Sequence, residues 1–169
     1  MTDTGTTSKT ERADEPTADA RPDWFGQPGD PAPGLRFSCT QCGACCTGPE
    51  GYVMLSDEEA SRLADRLGMS PDAFGAKYTR DFGAGRSLTE VETEHGFDCV
   101  FLDRNTIPGR AICGVYEDRP TQCRTWPLWK RTVRSPRTWA RASESCPGMN
   151  KGELIPPERI RIVRDSSPI

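Results

Sequence analysis

The chain has 169 residues, 34% apolar and 28% charged, with 16 Gly and 15 Pro, which is material for one loop-rich domain with a thin core. The formal net charge of −3 excludes a strong global field for drawing in nucleic acid or a membrane surface. No stretch reaches the ~18 consecutive apolar residues of a spanning helix.

In chain order, residues 1–34 hold seven acidic and three basic residues, so the acidity belongs to this segment and the remainder is near neutral. The opening "MTDTGTTSKTERADEPTADA" has no apolar h-region and does not read as a secretory signal, so a cytoplasmic chain is expected. Rich in Thr, Asp, Ala, Pro and Gly, with Trp24 and Phe25 its only aromatics, the segment is expected to be a disordered acidic tail. A domain over 35–155 and a C-terminal tail over 156–169 should follow.

The Gly-dense loop over 37–51 predicts a turn-rich knuckle. "YVML" at 52–55 reads as a short strand. In "SDEEASRLADRLG", Ser56 and Glu59 form a capping box, Ala60, Leu63, Ala64 and Leu67 recur at helical spacing, and Gly68 stops the helix. "SPDAFGAKY" starts a second helix, with Ser70 as cap, Pro71 in the first turn, and Phe74 and Tyr78 on one face. Together they predict a helical hairpin. Residues 86–94, 97–103 and 110–118 read as three strands, the last two joined by a turn at Asn105–Gly109. After Cys123 the prolines at 127, 136, 147, 156 and 157 predict mostly loop. The fold class is therefore α+β: a small, loop-rich, metal-stapled single domain with a helical hairpin and a few short antiparallel strands.

Chemistry is concentrated in the cysteines Cys39, Cys42, Cys45, Cys46, Cys99, Cys113, Cys123 and Cys146. The first four fit C-x2-C-x2-C-C, and a two-residue spacer lets two thiolates face one ion from a tight turn. Three cysteines at this spacing resemble the loop of bacterial ferredoxins, and Cys146-Pro147 resembles the end of that motif. A zinc knuckle needs only one such pair. Adjacent Cys45 and Cys46 are expected to project in different directions, serving two centres or leaving one cysteine a bystander. An even count also permits a disulfide framework, which the missing export signal disfavours. Thiolate suits both zinc and iron, and the spacing tips the reading toward iron.

The ordered set "FSCTQCGACC", "MLSDEEASRLADRLGM", "CVFLDRNTIPGRAICGVYEDRPTQCRTWPLW" and "WARASESCPGMNKG" resembles the YkgJ family of cysteine-cluster proteins, from roughly residue 37 to 152. The resemblance implies chelation of zinc or iron, an iron–sulfur cluster included, with all eight cysteines as the ligand set. The same domain is similar to the cysteine-rich part of flagellin lysine N-methylases; together with the ferredoxin-like spacing and Cys146-Pro147, this gives a second class of function, an iron–sulfur redox or methylase-like enzyme.

Tyr116, Arg119 and Arg124 surround Cys123; the arginines are expected either to offset thiolate charge and donate hydrogen bonds to sulfur or, for Arg119, to pair with Glu117 or Asp118. The stretch 119–141 holds seven basic residues and no acidic one, interleaved with Trp126, Trp129 and Trp139. A third class, a zinc-stabilised module meeting a protein partner through this loop, rests on it. Nucleic acid is not the expected partner, because tryptophans beside prolines more often plug a sparse core. His95, the only histidine, reads as a surface residue. The chain has no Gly-rich phosphate loop, H-E-x-x-H or nucleophile elbow, so hydrolase and nucleotide chemistry lack support.

Overall fold

The computed structural model describes residues 23–27, 29, 33–167 and 169. The rest of the expected 1–34 tail lies outside the described residues. The architecture is α+β, with six helices and four small antiparallel sheets among the described residues.

Strand β1 (Leu35–Phe37) leads into the cysteine loop, and β2 (Met54–Leu55) follows it. Helix α1 (Asp57–Arg66) starts at the Ser56 cap, where the Ser56 hydroxyl accepts from Glu59 N and the Glu59 carboxylate accepts from Ser56 N. Its chain turns at Gly68, in the left-handed region at φ 65°, into α2 (Pro71–Tyr78). This is the expected hairpin, and it buries Leu63, Ala64 and Phe74 with Leu88 and Val115.

Residues 86–94 do not form one strand. β4 (Gly85–Leu88) pairs with β2 and with β3 (Thr79–Phe82), while β5 (Glu90–Thr93) pairs with β6 (Gly96–Cys99). The break falls at Thr89, whose N–H donates to Tyr78 and whose carbonyl accepts from Val100, so the chain changes sheets there. β7 (Leu102–Asp103) and β8 (Ile112–Cys113) form the expected pairing around the 105–109 turn, but β8 gives way to a 3-10 turn at Tyr116–Asp118.

Beyond Cys123 the chain is far more regular than its prolines imply. It forms α3 (Thr121–Arg124), α4 (Lys130–Val133), α5 (Pro136–Ser143), β9 (Met149–Ile155) and α6 (Pro157–Ser166). Pro136 and Pro157 occupy helical first turns, where a missing N–H costs nothing, and Ser135 caps α5. The 156–169 tail is thus corrected: α6 buries Ile160, 0% exposed, in a second apolar cluster with Leu35, Leu128, Val133, Trp139, Cys146 and Met149. The 23–27 segment is corrected too. Phe25 joins that cluster, Trp24 Nε1 donates to Val133 O at 2.7 Å, and Asp23 pairs with Arg161 and Arg164. β1 closes this half by pairing antiparallel with β9.

Candidate metal centre

All eight cysteines are free thiols, and all eight line one cavity of about 790 Å³. Its walls come from both apolar clusters: Leu88, Val115, Cys99 and Cys113 on one side, Phe37, Trp126 and Cys146 on the other. The cavity is the seam between the two halves of the fold.

The loop is held in place by backbone bonds. Cys46 N donates to Gly43 O at 2.8 Å and closes a turn in which Gly43 has φ 76°. A Cβ at Gly43 would stand 2.6 Å from the Ala111 Cβ, so only glycine fits this conformation and approach. The loop then runs along β6, with Cys99 N donating to Cys46 O and Phe97 N to Gly48 O, both at 2.8 Å. On its other side Ala111 N donates to Gln41 O at 2.8 Å. Three segments distant in sequence are thereby sewn together, bringing Cys46 beside Cys99.

Cys123 comes from the far side on α3, and its two preceding residues place it. Thr121 donates through N and Oγ1 to the Glu59 carboxylate at 2.6 and 2.7 Å. Buried Gln122 accepts from Met54 N and donates to Tyr52 O. Glu59 therefore serves both the α1 cap and the docking of α3. Cys146 arrives through the β1–β9 pairing: Ser38 N donates to Gly148 O at 3.0 Å, so Cys-Pro-Gly lies against the start of the cysteine loop. A Cβ at Gly148 would run into the Ser38 carbonyl, which makes that glycine a packing requirement.

The sulfurs divide into groups. Cys45 and Cys46 are 3.6 Å apart through their Sγ atoms. Neighbouring sulfurs of a tetrahedral zinc site stand about 3.8 Å apart, as Zn–S bonds of about 2.3 Å require. This corrects the expectation that the adjacent pair diverges. The hydrogen bond from Cys46 brings the Cys45 thiol down to about 7, and the same bond together with burial drives Cys46 strongly upward. Burial pushes Cys99 up to about 11 and raises Cys113 and Cys123, each with a further push from neighbouring cysteines. Cys45, Cys46, Cys99, Cys113 and Cys123 thus feel one another electrostatically. Cys39 and Cys42 are exposed along the same cavity, and Cys146 is buried in its wall. As they stand, the described residues present no set of three Cys, His, Asp or Glu side chains gathered tightly enough to hold an ion.

Arg119 faces this sulfur group. Its charge lowers Cys45, Cys113 and Cys123, its Cζ lies 3.9 Å from the Tyr116 ring centre, and its Nε donates to Tyr116 O. Asp118 instead pairs with Arg66. Of the two readings of Arg119, the one that offsets thiolate charge fits this geometry. Arg124 and Tyr116 also line the cavity. His95 is half-exposed and outside the lining.

Sequence reasoning missed Asp98 and Arg104, an ion pair next to Cys99 in the chain. Arg104 grips buried Asp98 through Nε and Nη2 at 2.8 and 2.9 Å and holds its carboxyl down to about 2. An acid and a base six residues apart carry no local signal of pairing, since the β6–β7 bend brings them together. Trp126 reads from sequence as a core plug or as part of a partner-binding loop. It lines the cavity, and its buried indole N–H has no acceptor among the described residues.

A family model described as "Putative zinc- or iron-chelating domain", named CxxCxxCC, matches residues 38–147. The chain belongs to the CxxCxxCC family. The matched span begins one residue before Cys39 and ends one after Cys146, so it encloses every cysteine. Membership supports binding of a metal ion, zinc or iron. No solved structure matches the chain. Among the described residues no helix is long and apolar enough to cross a membrane.

Proposed function

We propose that the protein chelates zinc or iron through its cysteine thiolates, with Cys45, Cys46, Cys99 and Cys123 as the inner ligands and Cys113 beside them. The observation that carries this reading is the convergence of eight thiols, from segments spread over more than a hundred residues, on one cavity. Buried free cysteines acting merely as small hydrophobes would be scattered between the two cores. Thiols pushed upward by burial would have to lose their protons to solvent when a metal binds, so binding tightens as pH rises. These sulfurs would hold a bound ion between the two halves, and its binding would supply folding energy across the seam. Four thiolates on one divalent ion leave a charge of about −2, which Arg119 offsets.

A second reading, an iron–sulfur cluster, is favoured by one observation. Cys146 of Cys-Pro-Gly is remote in sequence but lies on the cavity wall, with Gly148 bonded to Ser38 ahead of Cys39. Such a Cys-Pro joins a C-x2-C-x2-C loop in ferredoxin-type cradles. Cys39, Cys42 and Cys146 would then belong with the cluster ligands, and redox or methylase-like chemistry becomes the enzyme class to test. For the interaction-module reading, Trp129 and Trp139 are buried, so a partner would meet chiefly the basic side chains of 119–141.

Metal and acid-labile sulfide should be measured on protein purified without oxygen. Zinc or iron without sulfide supports simple chelation, and iron with matching sulfide supports the cluster. A metal-free chain that still melts cooperatively, unmoved by added zinc or ferrous iron, contradicts both.

A further inference from the structure

We propose that the cysteine cavity also takes a small organic anion, a carboxylate or phosphate on a planar apolar body, held by Arg119, Arg124 and Arg131 beside the metal. At about 790 Å³ the cavity has the size of a small-molecule site, roughly 300–1,000 Å³, and far exceeds what one ion needs. Exposed Cys39, Cys42 and Cys45 line it, so it opens to solvent.

Its polar groups are sorted in a way that chelation does not explain. The lining carboxylates Glu50 and Glu90 are engaged by Arg80, which also lines the cavity and is satisfied by them. The other three lining arginines have no carboxylate partner among the described residues. Arg119 lies on Tyr116, Arg131 lies 4.7 Å from the Trp129 ring centre, and Arg124 has only a 3.4 Å contact with Thr121 Oγ1. Guanidinium groups offer donors alone and bind carboxylate or phosphate through paired hydrogen bonds. The unpartnered Trp126 N–H is a fourth donor, independent of the arginines and already paid for in lost hydration. A stacked Tyr52–Phe82 pair and the Trp126–Trp129 pair supply apolar surface for the body of the ligand.

The proposal rests on the chelation reading in one respect: a bound metal offsets the thiolate charge that would repel an anion. The test uses the full, metal-loaded chain, titrated with phenyl phosphate, benzoate and phenol while tryptophan fluorescence is followed. Metal per chain is measured on every sample. At least one of the two anions should saturate at one per chain, and whichever binds tighter identifies the preferred group. Phenol should bind at least about tenfold more weakly, and the exposed double variant R124A/R131A should weaken the anion about tenfold or more, a typical worth for charge-assisted bonds. Trp126→Phe keeps an aromatic ring, though a smaller one, loses the indole N–H and should weaken the anion several-fold. In both variants metal per chain should stay unchanged. Failure of both anions to saturate at millimolar concentration, or equal binding by the double variant with its metal intact, would overturn the proposal. A chain that takes up neither zinc nor iron, its thiols then protonated and uncharged, yet binds the anion would uphold the proposal while defeating chelation.

Discussion

The two walls of the cavity are built by opposite means. The first, α1–α2 with β2–β4, assembles from signals a few residues apart: two serine caps, a capping box, a proline at a first turn, a glycine stop. The second assembles from partners far apart in sequence: β1 on β9, Trp24 on Val133, Asp23 on Arg161 and Arg164. A site lying between them is complete only when both are in place, which makes metal binding a readout of closure of the whole chain.

The largest test of that contrast compares Leu63→Ala with Ile160→Ala, one from each wall and both 0% exposed. Each should lose about 2–5 kcal/mol in denaturant unfolding, through lost burial plus the cavity left behind. A near-neutral Ile160→Ala would show α6 to be peripheral and break the comparison.

Asp98→Asn should come next. It leaves Arg104 without a carboxylate, and since that side chain is 26% exposed the cost is discounted to about 1–3 kcal/mol. The acid limb carries the sign. Asp98 titrates near 2 in the fold, below its ordinary value of ~3.9, so its contribution is complete above about pH 4 and lost as pH falls toward 2. Urea unfolding across that window should be flatter in Asp98→Asn than in the parent. An unchanged slope would remove the pair from the account.

Ser56→Ala should cost about 1 kcal/mol, the usual worth of a helix cap. It sharpens the comparison because it removes only the hydroxyl that accepts from Glu59 N, while the Glu59 carboxylate keeps its bonds to the backbone N–H of residue 56 and to Thr121. The first wall should therefore weaken without loss of metal. If metal content drops with it, the cap and the placement of Cys123 are not separable.

Legibility in the sequence follows the same division. The capping box at Ser56 and Glu59, the Ser70-Pro71 start and the cysteine knuckle are contiguous patterns, and each is found in place. Residues 86–94 read as one strand because alternation says nothing about a change of sheet, and the change depends on where Tyr78 and Val100 end up beside Thr89. Pro136 and Pro157 were read as breakers although each sits where a helix tolerates it. Ser135 ahead of Pro136 repeats the Ser70-Pro71 signal and could have revealed α5. The site was legible as a set of eight thiols but not as an arrangement. That Cys45 and Cys46 point together, that Arg104 grips Asp98 beside Cys99, and that Cys146 meets the loop depend on how the backbone folds back at the Gly43 turn, the β6–β7 bend and the β1–β9 pairing.

The most direct test of the central claim is X-ray absorption at the edge of the metal found in freshly purified protein, compared with Cys46→Ser. The account predicts a first shell made wholly of sulfur, at about 2.3 Å for zinc, and loss of metal or a light-atom ligand in the variant. A nitrogen- or oxygen-dominated shell, or a spectrum indifferent to Cys46→Ser, would contradict it.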